Sequence, residues 1–158
     1  MAVFKETPLP RLRTFINQAE RLWFQVYDSA NTSQIRTVNG DNYMRLPLRF
    51  STRSKVIDYF ERYWNARISG NMFCNLHIIT NNGRLYVPEG DPGPVPLAVV
   101  SLLVKNESSQ SLLIRASLSG DPDGNYIVYY RISKLPGGNL VITNRAALYT
   151  DYRYMPCK

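Results

Sequence analysis

The stretch NLHIITNNGRLYV, residues 75–87, marks the point at which the spacing of apolar residues along the chain changes. Before it, apolar residues recur every three or four positions, as they do along one face of a helix. Within it they alternate around Asn82-Gly83, a pair that favours a tight β-hairpin turn. The chain therefore divides into a helical part, about residues 9–66, and a sheet part, about residues 75–149.

The helical part is predicted to contain two amphipathic helices. The first covers residues 9–28, with an apolar stripe facing a core and Glu20 among the polar residues of the other face. The second covers residues 52–66, with Ser51 as its expected N-cap. Two segments should interrupt the helical pattern: SANTSQ ends the first helix, and NARISGNMF ends or bends the second. The large side chains expected to be buried in this fold are Trp23, Phe60, Trp64 and Leu102.

The sheet part continues with four strand-like runs that turn sequences of hairpin length separate. Links this short join antiparallel neighbours, because parallel strands need long crossovers. The first run contains LAVVSLLV, which is apolar on both faces and so is predicted to lie centrally in the sheet. The order of helices first and strands afterwards predicts an α+β fold, with two N-terminal helices packed on a curved, mostly antiparallel sheet. The four runs are Leu97–Lys105, Ser111–Leu118, Tyr126–Lys134 and Asn139–Tyr149.

Length and charge limit the class of protein. The chain has 158 residues and 44% apolar content, which suits a single domain covering residues 1–158. Its net charge of +7 is spread along the sequence, and no nucleic-acid-binding motif accompanies it, so we expect no nucleic-acid partner. A dispersed positive charge attracts polyanions weakly, which leaves an anionic cell-wall polymer open as a partner. No apolar run approaches the roughly 20 residues of a membrane span.

The residue types that carry catalysis are sparse. His77 is the only histidine, and structural zinc needs four Cys or His ligands, so we expect no metal site and no cofactor. A Cys74–His77 pair could activate a thiol, but in a strand a spacing of three places the two side chains on opposite faces. We therefore expect His77 to be an ordinary sheet residue and assign no catalytic residue. Cys74 and Cys157 either form one bridge to the C-terminal tail or remain two unpaired thiols.

The segment VPEGDPGPVP, residues 87–96, is unusually stiff and acidic for this chain. Its four prolines restrict the backbone, and Gly90 permits an exposed turn between them. Two interpretations remain open: a linker between the two parts of the chain, or a recognition loop ordered before binding. Two interpretations also remain open for the tyrosines near the C-terminus: they form a contact surface for a partner, or they pack within the fold. A second Gly-Asp-Pro, at residues 120–122, fits ordinary turn chemistry.

Three segments together resemble a known family: AERLWF at residues 19–24, YMRLPLRFSTRSKVIDYF at residues 43–60 and NNGRLYVPEGDPG at residues 81–93. Over about residues 12–133 the chain is similar to the IseA-type inhibitors of D,L-endopeptidases from Gram-positive bacteria. The resemblance implies a non-enzymatic inhibitor with a fold similar to a cystatin-like roll. Its implied partner is an NlpC-type cysteine peptidase that cuts peptidoglycan stem peptides, and the inhibitor is expected to be a monomer.

The same resemblance assigns a partner-binding loop and a location. Gly90 and Asp91 match the Gly-Asp of a family loop that enters the peptidase cleft. The family is exported, which implies an extracytoplasmic or cell-wall location. The N-terminal residues lack the apolar stretch of a signal peptide, which fits either an exported protein without its leader or a cytoplasmic one. The expected partner-binding residues are Glu89, Gly90, Asp91, Pro92 and Gly93.

Two other functions remain open at this stage. An α+β roll can form a pocket between its helices and its sheet, so the chain could bind a small ligand or act as an enzyme. A closed pocket of several hundred Å³ lined by polar groups and His77 would favour that function. A polyanion-binding module is the third possibility, and it predicts binding that weakens steeply with salt.

Overall fold

The computed structural model describes residues 5–92, 98–121, 124–147 and 151–157. It contains three helices and two four-stranded antiparallel sheets, which confirms the predicted α+β class. The helices are α1 (Leu9–Asp28), α2 (Arg53–Phe60) and α3 (Ala66–Cys74). The strands are β1 (Asn31–Val38), β2 (Asp41–Arg45), β3 (Ile79–Asn81), β4 (Arg84–Pro88), β5 (Val99–Glu107), β6 (Ser111–Asp121), β7 (Gly124–Lys134) and β8 (Leu140–Ala147).

Helix α1 has the predicted bounds and lays its apolar stripe against the core. It begins after Pro8, whose fixed φ suits a helix start. Leu12, Ile16 and Trp23 are buried at the expected spacing. The prediction for Glu20 is wrong: its side chain is buried, because partners on β7, β8 and the C-terminal segment surround its carboxylate.

The predicted second helix is two helices joined by a bend. Thr52, not Ser51, caps α2, since its hydroxyl accepts from the Lys55 backbone N–H at 3.2 Å. The segment NARISGNMF, which was expected to end or bend the second helix, follows a bend and forms most of α3, because the Asn65 side chain caps the new N-terminus. Between the two helices, the backbone around Trp64 forms a bridge with Ile142 of β8.

The strands form two sheets, with orders β1-β2-β4-β3 and β5-β6-β7-β8. The Asn82-Gly83 hairpin is confirmed, with both residues at positive φ between β3 and β4. A second Asn-Gly pair, Asn39-Gly40, turns β1 into β2 with similar angles. Strand β1 was not predicted, since its residues are polar and seven of its eight are exposed.

Strand β5 lies at an edge of its sheet, so the prediction of a central strand is wrong. Val100 and Leu103 are exposed at 47% and 52% of their surface. Leu102, which we expected to be buried, is only partly buried against the core. Backbone pairing with distant strands decides the place of a strand in the sheet, and β5 pairs with β6 alone, so its two apolar faces do not make it central.

The main core lies between the helices and both sheets. Trp23, Phe60 and Trp64 are buried there as predicted, with exposed fractions of 2%, 0% and 0%. Cys74 at the end of α3 forms a disulfide with Cys157, with the two Cα atoms 5.9 Å apart. Of the two possibilities left open by the sequence, the bridge to the C-terminal tail is therefore the one observed.

Candidate functional site

The predicted partner-binding loop begins where β4 leaves its sheet at Pro88. The backbone N–H of Glu89 donates to the Asn42 carbonyl at 2.8 Å, which extends the pairing of β4 with β2 by one residue. Gly90 then adopts a φ of +156°, an angle that glycine accepts far more readily than other residues. Glu89, Gly90 and Asp91 are exposed. Gly93 lies outside the described residues, as do residues 94–96 of the proline-rich segment.

Two tyrosine hydroxyls hold the backbone of this segment. The Tyr27 hydroxyl, on the last turn of α1, lies 2.8 Å from the Pro88 carbonyl and 3.0 Å from the Gly90 carbonyl, and its one proton is shared between these two acceptors. The Tyr152 hydroxyl donates to the Pro92 carbonyl at 2.9 Å. Between residues 88 and 92, three backbone carbonyls thus accept hydrogen bonds from two tyrosines, one near each end of the chain.

Trp23 joins the two tyrosines into one aromatic clamp, by which we mean Trp23, Tyr27 and Tyr152. The Trp23 ring stacks on Tyr27 with centroids 5.5 Å apart and planes within 5°. It meets Tyr152 edge-on at 6.1 Å and 84°. The Trp23 indole N–H donates to the Met72 carbonyl at 3.2 Å, which ties the clamp to α3. Offset-stacked and edge-to-face rings are the favoured aromatic geometries, so the clamp has a defined shape.

The clamp hydroxyls keep their protons at neutral pH. Burial is the main cause that raises the pKa of Tyr27 above 10.0, and the nearby Asp28 carboxylate raises it further. Burial also raises the pKa of Tyr152, with Asp151 adding to the effect and Arg153 opposing it. The negative charge of Asp91 contributes in the same direction at both tyrosines. Both side chains are therefore hydrogen-bond donors under ordinary conditions.

Sequence reasoning proposed the loop as a candidate site but did not predict the clamp that holds its backbone. Tyr27 continues the helical stripe of α1 and looks like an ordinary core residue.

Tyr152 is one of the C-terminal tyrosines for which the sequence left two interpretations open, a contact surface or plain packing. In the structure some of these tyrosines are buried and others are exposed. Tyr130 and Tyr154 are packing residues with 0% and 6% exposure, whereas Tyr129 and Tyr152 are 42% and 48% exposed. Of the remaining two, Tyr126 is partly buried and Tyr149 lies outside the described residues.

A buried ionic network accounts for the packed tyrosines. The Glu20 carboxylate accepts hydrogen bonds from Tyr130, from Tyr154 at 2.7 Å and from Arg145 at 2.8 Å. The Arg145 guanidinium lies over the Tyr154 ring, 4.5 Å from its centroid. Burial first, and the Glu20 charge second, raise the pKa of Tyr130 and of Tyr154 well above 10.0. This network lies in the core and has a structural role.

The geometry gives no support to thiol catalysis by Cys74 and His77. The prediction that His77 is a sheet residue is wrong: it lies in the turn after α3, exposed, with a φ of +52°. Cys74 is in the disulfide and so has no thiolate to act as a nucleophile. Within residues 5–92, 98–121, 124–147 and 151–157, no group of three or more His, Cys, Asp or Glu residues could hold a metal ion.

Four surface clefts have volumes of 300–490 Å³ and are open to solvent. His77 lines none of these four. The closed, His77-lined pocket that would favour a ligand-binding or enzymatic function is thus not among them. No helix in the described part of the chain combines the length and apolar character needed to cross a membrane.

Comparison with known protein families matches residues 11–119 to the IseA DL-endopeptidase inhibitor family. No curated protein matches the chain. The family match covers most of α1, all of α2 and α3, both strands next to the loop and most of β6. It confirms the resemblance seen in the sequence up to residue 119, whereas the expected similarity extends to about residue 133. Since the match spans more than half of its length, this chain belongs to the IseA DL-endopeptidase inhibitor family.

Proposed function

We propose that the protein is a non-enzymatic inhibitor of a peptidoglycan D,L-endopeptidase of the NlpC cysteine-peptidase type. In this proposal the loop Glu89, Gly90, Asp91, Pro92 and Gly93 occupies the peptidase's substrate cleft. The observation that carries the proposal is that exposed acidic residues stand on a backbone held by the aromatic clamp. Such a segment can enter a cleft without first having to become ordered.

Order before binding raises affinity because less conformational entropy is lost on association. Fixing one rotamer-rich side chain at an interface costs about 0.5–1.5 kcal/mol, and fixing the backbone of one residue costs about 1–2 kcal/mol. The hydrogen bonds of Tyr27 and Tyr152 restrict the loop backbone in the free inhibitor. Gly90 leaves room for a close approach, since a Cβ built on it meets no atom within 4 Å. These features are those of a preformed inhibitory loop.

The chemistry of the contact follows from the loop's acids. Glu89 and Asp91 are exposed carboxylates on a chain whose net charge is +7. A carboxylate in a peptidase cleft can accept hydrogen bonds from backbone N–H groups or from a histidine, at a net worth of about 1.5–3 kcal/mol. That energy corresponds to roughly ten- to a hundred-fold in affinity.

The location that goes with this function is the cell wall or another extracytoplasmic site, where peptidoglycan is cut. A structural disulfide between Cys74 and Cys157 supports that location, because such bridges persist in oxidising compartments and are rare in the cytosol.

The function is tested by measuring steady-state inhibition of purified NlpC-type D,L-endopeptidases on a stem-peptide substrate. The double variant Gly90→Ala/Asp91→Asn should weaken inhibition by about ten- to a hundred-fold. This loss should be far larger than the change in thermal stability, which the strained φ of an alanine at position 90 will lower somewhat. The matched control is Asp121→Asn, in the second Gly-Asp-Pro of the chain, which should inhibit like the parent protein.

Two results would overturn the proposal. Equal losses of inhibition at Asp91 and at Asp121 would mean that the loop has no special role. A parent protein that inhibits no D,L-endopeptidase, although folded, would rule out the inhibitor function itself.

A further inference from the structure

Three basic residues from one stretch of the chain, residues 49–62, meet at one surface cleft of about 430 Å³. The cleft lies where the short helical turn at residues 48–50 leads into α2. Three cations and one carboxylate line it, so its side chains carry an excess of positive charge. Its lining residues are Arg49, Phe50, Lys55, Asp58, Tyr59 and Arg62. We call this the cationic cleft.

The cationic cleft has an aromatic base that positions both arginines. Phe50 and Tyr59 meet edge-to-face with centroids 5.0 Å apart, and Phe50 is only 3% exposed. The Arg49 guanidinium lies 4.8 Å above the Phe50 ring, and that of Arg62 lies 5.1 Å from the Tyr59 ring. The Tyr59 hydroxyl donates to Gln25 of α1, which fixes the ring against the first helix. Stacking orients a guanidinium while its N–H groups stay available at the edge.

The cations of the cleft are not neutralised by partners within the described residues. The ion pairs among the described residues join Lys134 to Glu107, Arg145 to Glu20 and Arg153 to Asp151. None of these six residues lines the cationic cleft. The Lys55 ammonium donates to two neutral acceptors, the Leu48 carbonyl at 3.0 Å and the Ser51 hydroxyl at 2.9 Å. Asp58 lines the same cleft without pairing to any of the three cations.

We propose that the cationic cleft binds a phosphate group. Two oriented guanidinium forks match the geometry of phosphate oxygens, and the Lys55 ammonium adds a third donor group. A phosphate ester carries up to two negative charges near neutral pH, which balances the excess charge of the cleft. The phosphate can belong to a free monoester or to a phosphodiester polymer. A diester has two terminal oxygens and one charge per phosphate where a monoester has three oxygens and up to two charges, but both accept hydrogen bonds from guanidinium groups.

This inference is independent of the inhibitory loop. Its residues belong to the turn at 48–50, to α2 and to the bend after α2, whereas the loop follows β4. The peptidase-inhibition assay therefore does not test it, and the failure of one proposal leaves the other standing.

The test is a titration of the full-length protein at constant ionic strength, followed by NMR of the arginine Nε–H and backbone amide signals. Inorganic phosphate, glycerol 3-phosphate and a poly(glycerol phosphate) oligomer are the probes, with chloride as the reference anion. Phosphate-specific shifts should appear at Arg49, Lys55 and Arg62. Binding of the small probes indicates a site for free esters, and binding of the oligomer alone indicates a polymer site.

Two variants make the test specific. The double variant Arg49→Gln/Arg62→Gln should weaken phosphate binding by about tenfold or more, because each removes a charged hydrogen-bond donor. The matched control Arg36→Gln/Arg131→Gln removes the same charge from exposed strand positions outside the cleft and should change affinity far less. Asp58→Asn should tighten binding, since it removes the cleft's carboxylate.

Three results would overturn the proposal. One is equal weakening by the two double variants, which would indicate attraction to net charge alone. Another is a phosphate titration that matches chloride at equal ionic strength. The third is the absence of binding by all three probes when the protein is folded.

Discussion

Tyr27 shows how one side chain in a helix determines the shape of a segment more than sixty residues away in the chain. Its ring stacks on Trp23 inside the fold, while its hydroxyl reaches the carbonyls of Pro88 and Gly90. Sequence periodicity accounts for the ring but not for the hydroxyl. A phenylalanine would fit the same helical stripe equally well, so the local sequence pattern does not predict the hydrogen bonds from Tyr27 to the loop.

The substitution Tyr27→Phe separates these two roles. It keeps the stack on Trp23 and removes the hydrogen bonds to the loop, so the free energy of unfolding should fall by only about 0.5–1.5 kcal/mol. Inhibition should weaken as well, because the loop would then be ordered only on binding. Chemical denaturation and the inhibition constant provide the two measurements. The control Tyr129→Phe, at an exposed position on β7, should alter neither. Unchanged inhibition by Tyr27→Phe would contradict the role of the clamp.

The buried tyrosines around Glu20 predict a loss of stability in alkali. The pKa values of Tyr130 and Tyr154 are raised in the folded state by burial and by the Glu20 charge. Unfolded tyrosines ionise near pH 10, so the unfolded chain releases protons that the folded protein retains. The stabilisation is therefore complete below about pH 10 and is lost as the pH rises towards the folded values.

Each such tyrosine should lower the free energy of unfolding by about 1.4 kcal/mol per pH unit above pH 10. Urea denaturation between pH 8 and pH 11.5 measures this slope. Tyr130→Phe should make the slope of the free energy of unfolding against pH shallower. It also removes one buried hydrogen bond to Glu20. A stability that stays constant through pH 11 would contradict the account of the network.

At the scale of elements, local chemistry predicts some boundaries well and long-range packing decides the rest. The bounds of α1 and the Asn82-Gly83 hairpin follow from periodicity and turn propensity, and both are as predicted. Strand β1, which was not predicted, is polar and exposed, so its sequence lacks the alternation of apolar and polar residues by which a strand is recognised. The bend between α2 and α3 depends on pairing with β8, a partner almost eighty residues away that no local pattern encodes.

Trp64 is the residue on which this bend depends. Its side chain is fully buried, and its indole N–H donates to the Ala19 carbonyl of α1 at 3.0 Å. Trp64→Ala should lower the free energy of unfolding by about 3–5 kcal/mol, since it leaves a cavity and removes the indole hydrogen bond to the Ala19 carbonyl. The control Leu48→Ala, at a position with 69% exposure, should stay within about 0.5 kcal/mol of the parent protein. A loss at Trp64 no greater than at Leu48 would contradict the observed packing.

At the scale of the whole molecule, the ends of the chain meet around the loop. Helix α1 near the N-terminus supplies Trp23 and Tyr27, and the C-terminal segment supplies Tyr152. The disulfide to Cys157 and the hydrogen bonds of Asn75 to the Arg153 and Met155 carbonyls hold that segment against α3. The sequence predicts the fold class and the loop, but the clamp exists only in the folded molecule because its parts are distant in the chain.

The most direct test of the central claim is whether the loop covers the catalytic thiol of a D,L-endopeptidase. Both cysteines of this chain are in the disulfide, so an alkylation readout reports on the peptidase's thiol alone. With the inhibitor at about ten times its Kd, alkylation of that thiol by iodoacetamide should slow by about tenfold. The Gly90→Ala/Asp91→Asn variant at the same concentration should give little protection. Full-rate alkylation of a peptidase that the parent protein inhibits would contradict the account, because the inhibitor would then act from outside the cleft.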